Sequence, residues 1–169
     1  MSSASLGSTE QDRSNVVNDL VATYRELNLR IRPLSESQLA ADRGGSSIKS
    51  LVGDLRDEEV AFAQLLKEEV TGITVDEALL ADAPRTQVES GEDSTAMIIS
   101  QFGTARATTL SLLKSLDDAG WDKPTAEGKT IYQLATATAT RDKSYLDRIL
   151  SGQQGATSPQ VTGSSFAAS

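Results

Sequence analysis

The side chains that most often carry chemistry in proteins are largely missing from this chain. It contains no histidine and no cysteine, so a histidine-activated nucleophile and a histidine-rich transition-metal site are excluded by residue type. What remains is a group of carboxylates on one predicted helix, Asp54, Asp57, Glu58 and Glu59. Paired carboxylates can act as general acid and base or bind a hard cation such as Mg²⁺. Such a run of charges more often forms a solvated helix face, and both interpretations stay open.

One basic residue, Arg141, falls on the inward line of another predicted helix. It follows Thr138 by three residues and precedes Tyr145 by four, which is the spacing of a single helix face. A guanidinium on that face would lose its hydration, and it can do so only if a carboxylate meets it. We therefore predict that Arg141 is largely buried and paired with a carboxylate.

The helices that must position these residues occur in two versions of one unit. The segment from Arg32 to Leu66 runs in step with the segment from Lys114 to Leu150. Each copy contains a helix end, a polar loop, a Ser or Thr cap before an isoleucine, and an amphipathic helix. The matched residues are Leu34 with Leu116, Leu39 with Trp121, Ile48 with Ile131, Leu51 with Leu134, and Phe62 with Tyr145.

A duplicated helix–loop–helix predicts an all-α fold, an antiparallel four-helix bundle with helices near residues 11–32, 47–71, 94–119 and 130–151. We expect Ser8 and Gln11 to form the first capping box and Gly120 and Gly152 to end the third and fourth helices. The stripe of the third helix is predicted at Ile98, Phe102, Ala105, Leu112 and Leu116, widened by Ile99, Leu110 and Leu113.

Loops and tails complete the predicted organisation. A long crossover from Ile73 to Asp93 joins the second and third helices, with a short helix at Val75 to Leu80. Residues 1–10 are predicted to form a flexible tail, 11–151 the bundle, and 152–169 a polar tail of low complexity. The tail cannot bury enough apolar area to order itself, so a partner surface would have to hold it. Val161 and Phe166 are the expected contacts with that partner.

Composition narrows the classes of partner and location. A formal charge of −8 and a pI near 4.6 argue against nucleic acids and anionic membranes, which require clustered Lys and Arg. No apolar run approaches the ~20 residues that would span a bilayer, and the first residues lack the pattern of a signal peptide. We expect a cytoplasmic protein with no cofactor, whose partner is another protein or a second copy of the chain. A small-molecule ligand is not excluded.

The two capped units resemble the DinB/YfiT-like superfamily, bacterial four-helix bundles that include thiol-dependent transferases and mycothiol-dependent maleylpyruvate isomerase. The resemblance rests on LSESQL before SSIKSLVGDLRDEE, and on LDDAGWDKPT before TIYQLATATATRD. It implies a divalent metal held by three histidines, and the corresponding residues here are Asp54, Ala137 and Arg141. Alanine has no donor atom and arginine has no lone pair to offer, so the resemblance implies that the metal site has been lost.

Two function classes follow from this resemblance. The first is a non-catalytic bundle that acts as a binding or assembly subunit. The alternative is a divergent, metal-free enzyme of the transferase or isomerase type, in which Arg141 would hold an anionic or thiol substrate beside Asp54, Glu58 and Tyr145. In the resembling fold these positions converge, so an ion pair of Arg141 with Asp54 or Glu58 is expected. An open cavity leading to Arg141 would favour the enzyme, and a filled core would favour the binding subunit.

Overall fold

Four long helices and two short ones make up the described part of the chain. The structure is a computed structural model, and it describes residues 7–73 and 93–154, with side chains up to Ser151. No β-strand occurs within those ranges, so the predicted all-α four-helix bundle is confirmed. The helices are α1 (Glu10–Glu26, continued by a π-helical turn at Leu27–Ile31), α2 (Glu36–Ala40), α3 (Ile48–Thr71), α4 (Thr95–Lys114), α5 (Asp118–Trp121) and α6 (Ile131–Gln154).

Capping residues explain where the helices begin. Ser47 caps α3 and the hydroxyl of Thr130 accepts a hydrogen bond from the backbone of α6, so each matched isoleucine follows a cap as predicted. Ser94 caps α4. The first cap was predicted wrongly, because Thr9 forms the capping box with Asp12. Ser8 is not available for that role, since its backbone N–H and its hydroxyl both donate to Asp122.

Helix ends differ from the prediction in two places. The helix α4 stops at Lys114 rather than at Gly120, because α5 begins as a separate helix capped by Asp117. The helix α6 continues past Gly152 to Gln154, which costs little because glycine is tolerated in a terminal turn. The π-helical turn ends just before Pro33, as expected. The helix predicted at Val75–Leu80 lies outside the described residues.

Neighbouring helices do not all run in opposite directions. The pair α1–α4 is antiparallel, as predicted, because Leu20 contacts Arg106 while Tyr24 contacts Phe102. The pair α3–α6 is antiparallel too, because Ile48 lines one cleft with Ser151 while Glu59 contacts Arg141. The pair α3–α4 is parallel, since Arg56 contacts Gln101 and Glu59 contacts Arg106 farther along both helices. The pair α1–α6 is parallel as well, since Val16 shares one apolar cluster with Ile131 and Leu27 shares another with Ile149. Thus the antiparallel prediction is wrong for these two pairs. Bundles with a long connection between two of their helices permit parallel neighbours.

A polar layer divides the core of the bundle into two apolar halves. Each long helix contributes apolar residues above and below it, and polar residues between them. One half contains Leu27, Ile31, Leu39, Ile48, Leu51, Val52, Leu55, Ile98, Ile99, Phe102 and Ile149; the other contains Val16, Leu20, Phe62, Leu66, Leu113, Trp121, Ile131, Ala135 and Ala139. The polar layer consists of Thr23, Glu59, Arg106, Thr109 and Asp142, all buried.

Each short helix contributes one buried residue to the core, and the repeat matches these two residues with each other. Leu39 on α2 packs in the first apolar half and Trp121 on α5 packs in the second, and both are buried. Each short helix therefore delivers one large side chain to one half of the core, in agreement with the predicted duplication. None of the helices within the described ranges has the combination of length and apolar character that a membrane crossing requires.

Substitution by alanine should have opposite effects on stability at two glycines of the long helices. A Cβ at Gly103 would lie 2.5 Å from the ring of Tyr24, whereas a Cβ at Gly53 would meet no atom within 4 Å. Alanine favours helix over glycine by about 1 kcal/mol. Gly53→Ala should therefore raise the free energy of unfolding by about 0.5–1 kcal/mol, while Gly103→Ala should lower it by about 1–3 kcal/mol through overpacking. Urea denaturation of both variants checks this, and equal effects would contradict the close approach of Tyr24.

Candidate functional site

Arg106 is the centre of the polar layer, and it is bonded on every side. Its Nε donates to Glu59 Oε1 at 2.9 Å and its Nη2 to Glu59 Oε2 at 2.7 Å, which is the bidentate geometry of a strong pair. The same Nη2 donates to Asp142 Oδ2 at 2.7 Å, and Nη1 donates to the carbonyl of Leu20 at 2.7 Å. The guanidinium carbon also lies 4.8 Å from the centre of the Phe102 ring. Four long helices therefore meet at one arginine.

Threonine hydroxyls donate second hydrogen bonds to carboxylate oxygens that already accept from Arg106. Thr109 donates to Glu59 Oε1 at 2.7 Å, and Thr23 donates to Asp142 Oδ2 at 2.9 Å. Burial alone would lower the pKa of Arg106, but the hydrogen bonds and charges of Glu59 and Asp142 outweigh it and raise that pKa above its ordinary value. The layer is thus charged, fully buried and hydrogen-bonded throughout, which is the condition under which buried charges are tolerated.

Arg141 completes the charge balance of this layer. Glu59 and Asp142 carry two negative charges and Arg106 only one positive charge, so a second cation is needed for neutrality. Arg141 Nη2 lies 3.0 Å from Asp142 Oδ1 and 3.5 Å from Glu59 Oε2. The Arg141 side chain is 22% exposed, so it is partly buried rather than largely buried as predicted. Its guanidinium forms the outer edge of the polar layer.

Of the two partners predicted for Arg141, the structure shows an ion pair with Glu58 and none with Asp54. Arg141 Nε lies 3.1 Å from Glu58 Oε2, an ion pair that falls outside hydrogen-bond geometry. Tyr145 donates to the other oxygen of Glu58 at 2.9 Å. Burial and this hydrogen bond raise the pKa of Tyr145 above its ordinary value, so at neutral pH its hydroxyl is a donor rather than a base. The structure therefore brings Glu58, Arg141 and Tyr145 together.

The other two predicted positions lie apart from this group. Asp54 is exposed, and within the described residues it makes no hydrogen bond and no ion pair, although its charge contributes to the pKa shift of Tyr145. Ala137 is exposed on α6. No cluster of three or more side chains with metal-binding oxygen, nitrogen or sulfur occurs in the part of the chain that the structure describes. The donor set at Asp54, Ala137 and Arg141 does not fit a divalent cation, because Arg141 already contributes a permanent positive charge.

Comparisons with known proteins support the fold. No protein-family model matches the chain, and none of the curated proteins matches it. Among solved structures, the chain is similar to YfiT from Bacillus subtilis, described as a probable metal-dependent hydrolase with an unusual four-helix bundle topology. The TM-score is 0.70 at 12% identity, over 92% of this chain and 93% of YfiT. The resemblance to DinB/YfiT-like bundles is therefore confirmed for the fold, and at this identity for the fold alone.

The residues of the polar layer were not predicted as core residues, although their spacing in the sequence indicates it. Arg106 follows Phe102 by four residues and Thr109 precedes Leu113 by four, so both lie on the apolar line of α4. The predicted stripe was rotated toward Ala105 and Leu112, which are only half-buried. The predicted stripe omitted Arg106 and Thr109, although the structure places both in the core.

The repeat also contains a signal for the two buried carboxylates. Glu59 and Asp142 are 83 residues apart, as are the matched residues Phe62 and Tyr145. The two halves of the chain therefore place a carboxylate at the same point of the core. Glu59 was grouped with its exposed neighbours Asp57 and Glu58, because a charge run by itself does not show which member points inward.

Removing the outer cation should have a measurable but limited cost. Arg141→Ala leaves the buried layer with one excess negative charge, so we expect the free energy of unfolding to fall by about 1–3 kcal/mol. The partial exposure of Arg141 keeps this below the value for a fully buried partner. Lys143→Ala is a matched control on the same helix, because Lys143 is exposed and should change stability by less than about 0.5 kcal/mol. Equal effects of the two variants would contradict the role of Arg141.

Proposed function

We propose that this protein is a non-catalytic helical bundle that acts as a binding or assembly subunit, and that an ancestral metal site has been lost from it. The observation that carries the proposal is the place of Arg141 between the carboxylates of Glu58 and Asp142, at 3.1 and 3.0 Å. The resemblance implies a metal ligand at this position, and a fixed cation stands there instead. The charge that a metal would supply is thus already provided by the chain itself.

The paired carboxylates of the polar layer also support a role without catalysis. Every carboxylate oxygen of Glu59 and Asp142 accepts a hydrogen bond or forms an ion pair, so neither is available to a substrate as base or nucleophile. A cleft between α3 and the loop before it includes Asp54, and Arg141 does not line this cleft. A substrate would need open access to Arg141, and a closed ion-pair network favours the binding subunit.

The alternative is a divergent, metal-free enzyme of the transferase or isomerase type. It has one observation in its favour, because the Glu58–Arg141–Tyr145 group is partly exposed and could meet an anionic substrate. Binding such a substrate would require Arg141 to exchange its carboxylate partners for the ligand, at the expense of the charge balance in the core. For that reason we favour the subunit role.

The polar tail is the part of the chain that we assign to partner contact. Val161 and Phe166 are the large apolar residues in a segment composed mainly of Ser, Thr, Gly, Ala and Gln, and the partner would be another protein or a second copy of the chain. The cytoplasm of a bacterium is the proposed setting, which agrees with a chain free of cysteine.

Elemental analysis and a restored site test the loss of the metal. Purified protein without an affinity tag should contain no stoichiometric transition metal. The triple variant Glu58→His, Arg141→His, Tyr145→His places three imidazoles on the group that the structure brings together, and it should gain about one zinc ion per chain. The double variant that keeps Arg141 serves as the control and should bind no zinc. Stoichiometric zinc or nickel in the unmodified protein would overturn this part of the proposal.

Partner contact through the tail is tested separately. Deleting residues 153–169, or introducing Val161→Ser with Phe166→Ser, should abolish copurification of native partners, or self-association in sedimentation, while leaving the helical circular dichroism signal intact. Gln160→Ala is the matched control in the same segment, and it should retain the partners. Retention of every partner by the deleted protein would refute the assignment of the tail.

A further inference from the structure

A cleft of about 720 Å³ lies at the end of the bundle, away from the polar layer. One wall is the loop before α3, with Arg43 and Ser46, and the other is the last part of α6, with Arg148 and Ser151. Its volume falls within the range of small-molecule sites, about 300–1,000 Å³. None of the residues that line it belongs to the polar layer or to the Glu58–Arg141–Tyr145 group.

The charge of the cleft is opposite to that of the protein. Arg43 and Arg148 come from different elements and line the same space, while Asp147 is the acidic residue among the lining side chains. The lining therefore carries a net charge of +1 on a chain whose net charge is −8. A ligand with one negative charge complements it, whereas a second negative charge would be opposed by Asp147.

The base of the cleft is apolar. Ile48 and Leu51, on the first turn of α3, form it, and both are almost completely buried in the protein. The adjoining loop leaves room, because Gly44 and Gly45 have φ values of 72° and 96° and an added Cβ at either would meet no atom within 4 Å. An apolar chain of several carbons can therefore lie along the base.

We propose that this cleft binds a small monoanion with an apolar body, of which a medium-chain carboxylate is the simplest example. The carboxylate of the ligand pairs with the guanidinium of Arg148, in the part of the cleft that faces Arg43. The hydrocarbon chain of the ligand lies over Ile48 and Leu51. Arginine suits this role, because its planar fork matches the two oxygens of a carboxylate. The site is independent of the proposed metal loss and of the tail, since it uses neither.

The full-length protein titrated with sodium octanoate, monitored by NMR and calorimetry, tests the site. We expect saturable binding of one octanoate per chain, with no binding of octylamine, which has the same tail and the opposite charge. Octyl phosphate, a dianion at about pH 8, should bind more weakly than octanoate. Arg148→Gln should weaken octanoate binding about tenfold or more, the loss expected for one charge-assisted hydrogen bond. Lys143→Gln removes a positive charge elsewhere on α6 and should leave the affinity unchanged.

A blocking variant separates the cleft from general surface binding. Ser151 is an exposed residue at the rim, and Ser151→Trp should fill the cleft and abolish binding without unfolding the protein. Ser144→Trp introduces the same ring at an exposed position of α6 outside the cleft, and it should bind octanoate normally. No binding by the unmodified protein, or equal binding by Ser151→Trp and Ser144→Trp, would overturn the proposal. Tighter binding of octyl phosphate than of octanoate would contradict the assignment of a monoanion.

Discussion

Arg106→Ala should lower the free energy of unfolding by about 3–5 kcal/mol, because it leaves two buried carboxylates without their shared partner. The variant removes the one partner that Glu59 and Asp142 share, and it leaves both carboxylates buried at 0% and 1% exposure. Their desolvation cost would then have little compensation beyond the two threonine hydroxyls and Arg141. Urea denaturation with a fitted transition midpoint measures the change.

Two further variants determine whether the charge of Arg106 causes this loss. Arg148→Ala removes an arginine of similar size from an exposed position on α6 and should change stability by less than about 0.5 kcal/mol. Combining Arg106→Met with Glu59→Leu and Asp142→Leu removes the buried charges together, and it should recover part of the loss, because an apolar replacement leaves no orphaned charge. A triple variant less stable than Arg106→Ala would mean that packing rather than electrostatics dominates the polar layer.

Trp121→Ala should lower the free energy of unfolding by about 3–5 kcal/mol, since it removes the largest apolar side chain in the second half of the core. Trp121 is 5% exposed although it belongs to a helix of only four residues, so the short helix serves mainly to place this ring. Thermal denaturation followed by circular dichroism at the helical bands measures the change.

The matched residue of the first repeat provides a comparison. Leu39→Ala should cost about 2–5 kcal/mol, because Leu39 is 2% exposed and has the same role in the other apolar half. Leu29→Ala is the control, since Leu29 is 65% exposed and should tolerate truncation within about 0.5 kcal/mol. If Trp121→Ala were as mild as Leu29→Ala, α5 would contribute nothing to the core.

The candidate site was only partly predictable from the residues. Helical spacing and the cost of an unpaired cation predicted that Arg141 lies on the inner line of its helix and pairs with Asp54 or Glu58, and in the structure the partner is Glu58. Asp54 was an equal candidate in the sequence, since it lies one turn from Glu58 on the same helix. Its exposure depends on how α3 is rotated against α6, and a periodic pattern resolves that rotation only to within a residue or two.

The sequence by itself determined the four long helices, most of their caps, and the duplicated units in which Leu39 matches Trp121. These features depend on interactions within one helical turn or on a repeat that is visible in the residues themselves. Only the tertiary structure decided that Glu59, Arg106 and Asp142 are buried together and that α4 runs parallel to α3. Arg106 is 47 residues from Glu59 and 36 from Asp142. Each of these side chains would favour water if it were alone, and burial becomes favourable only where all three meet.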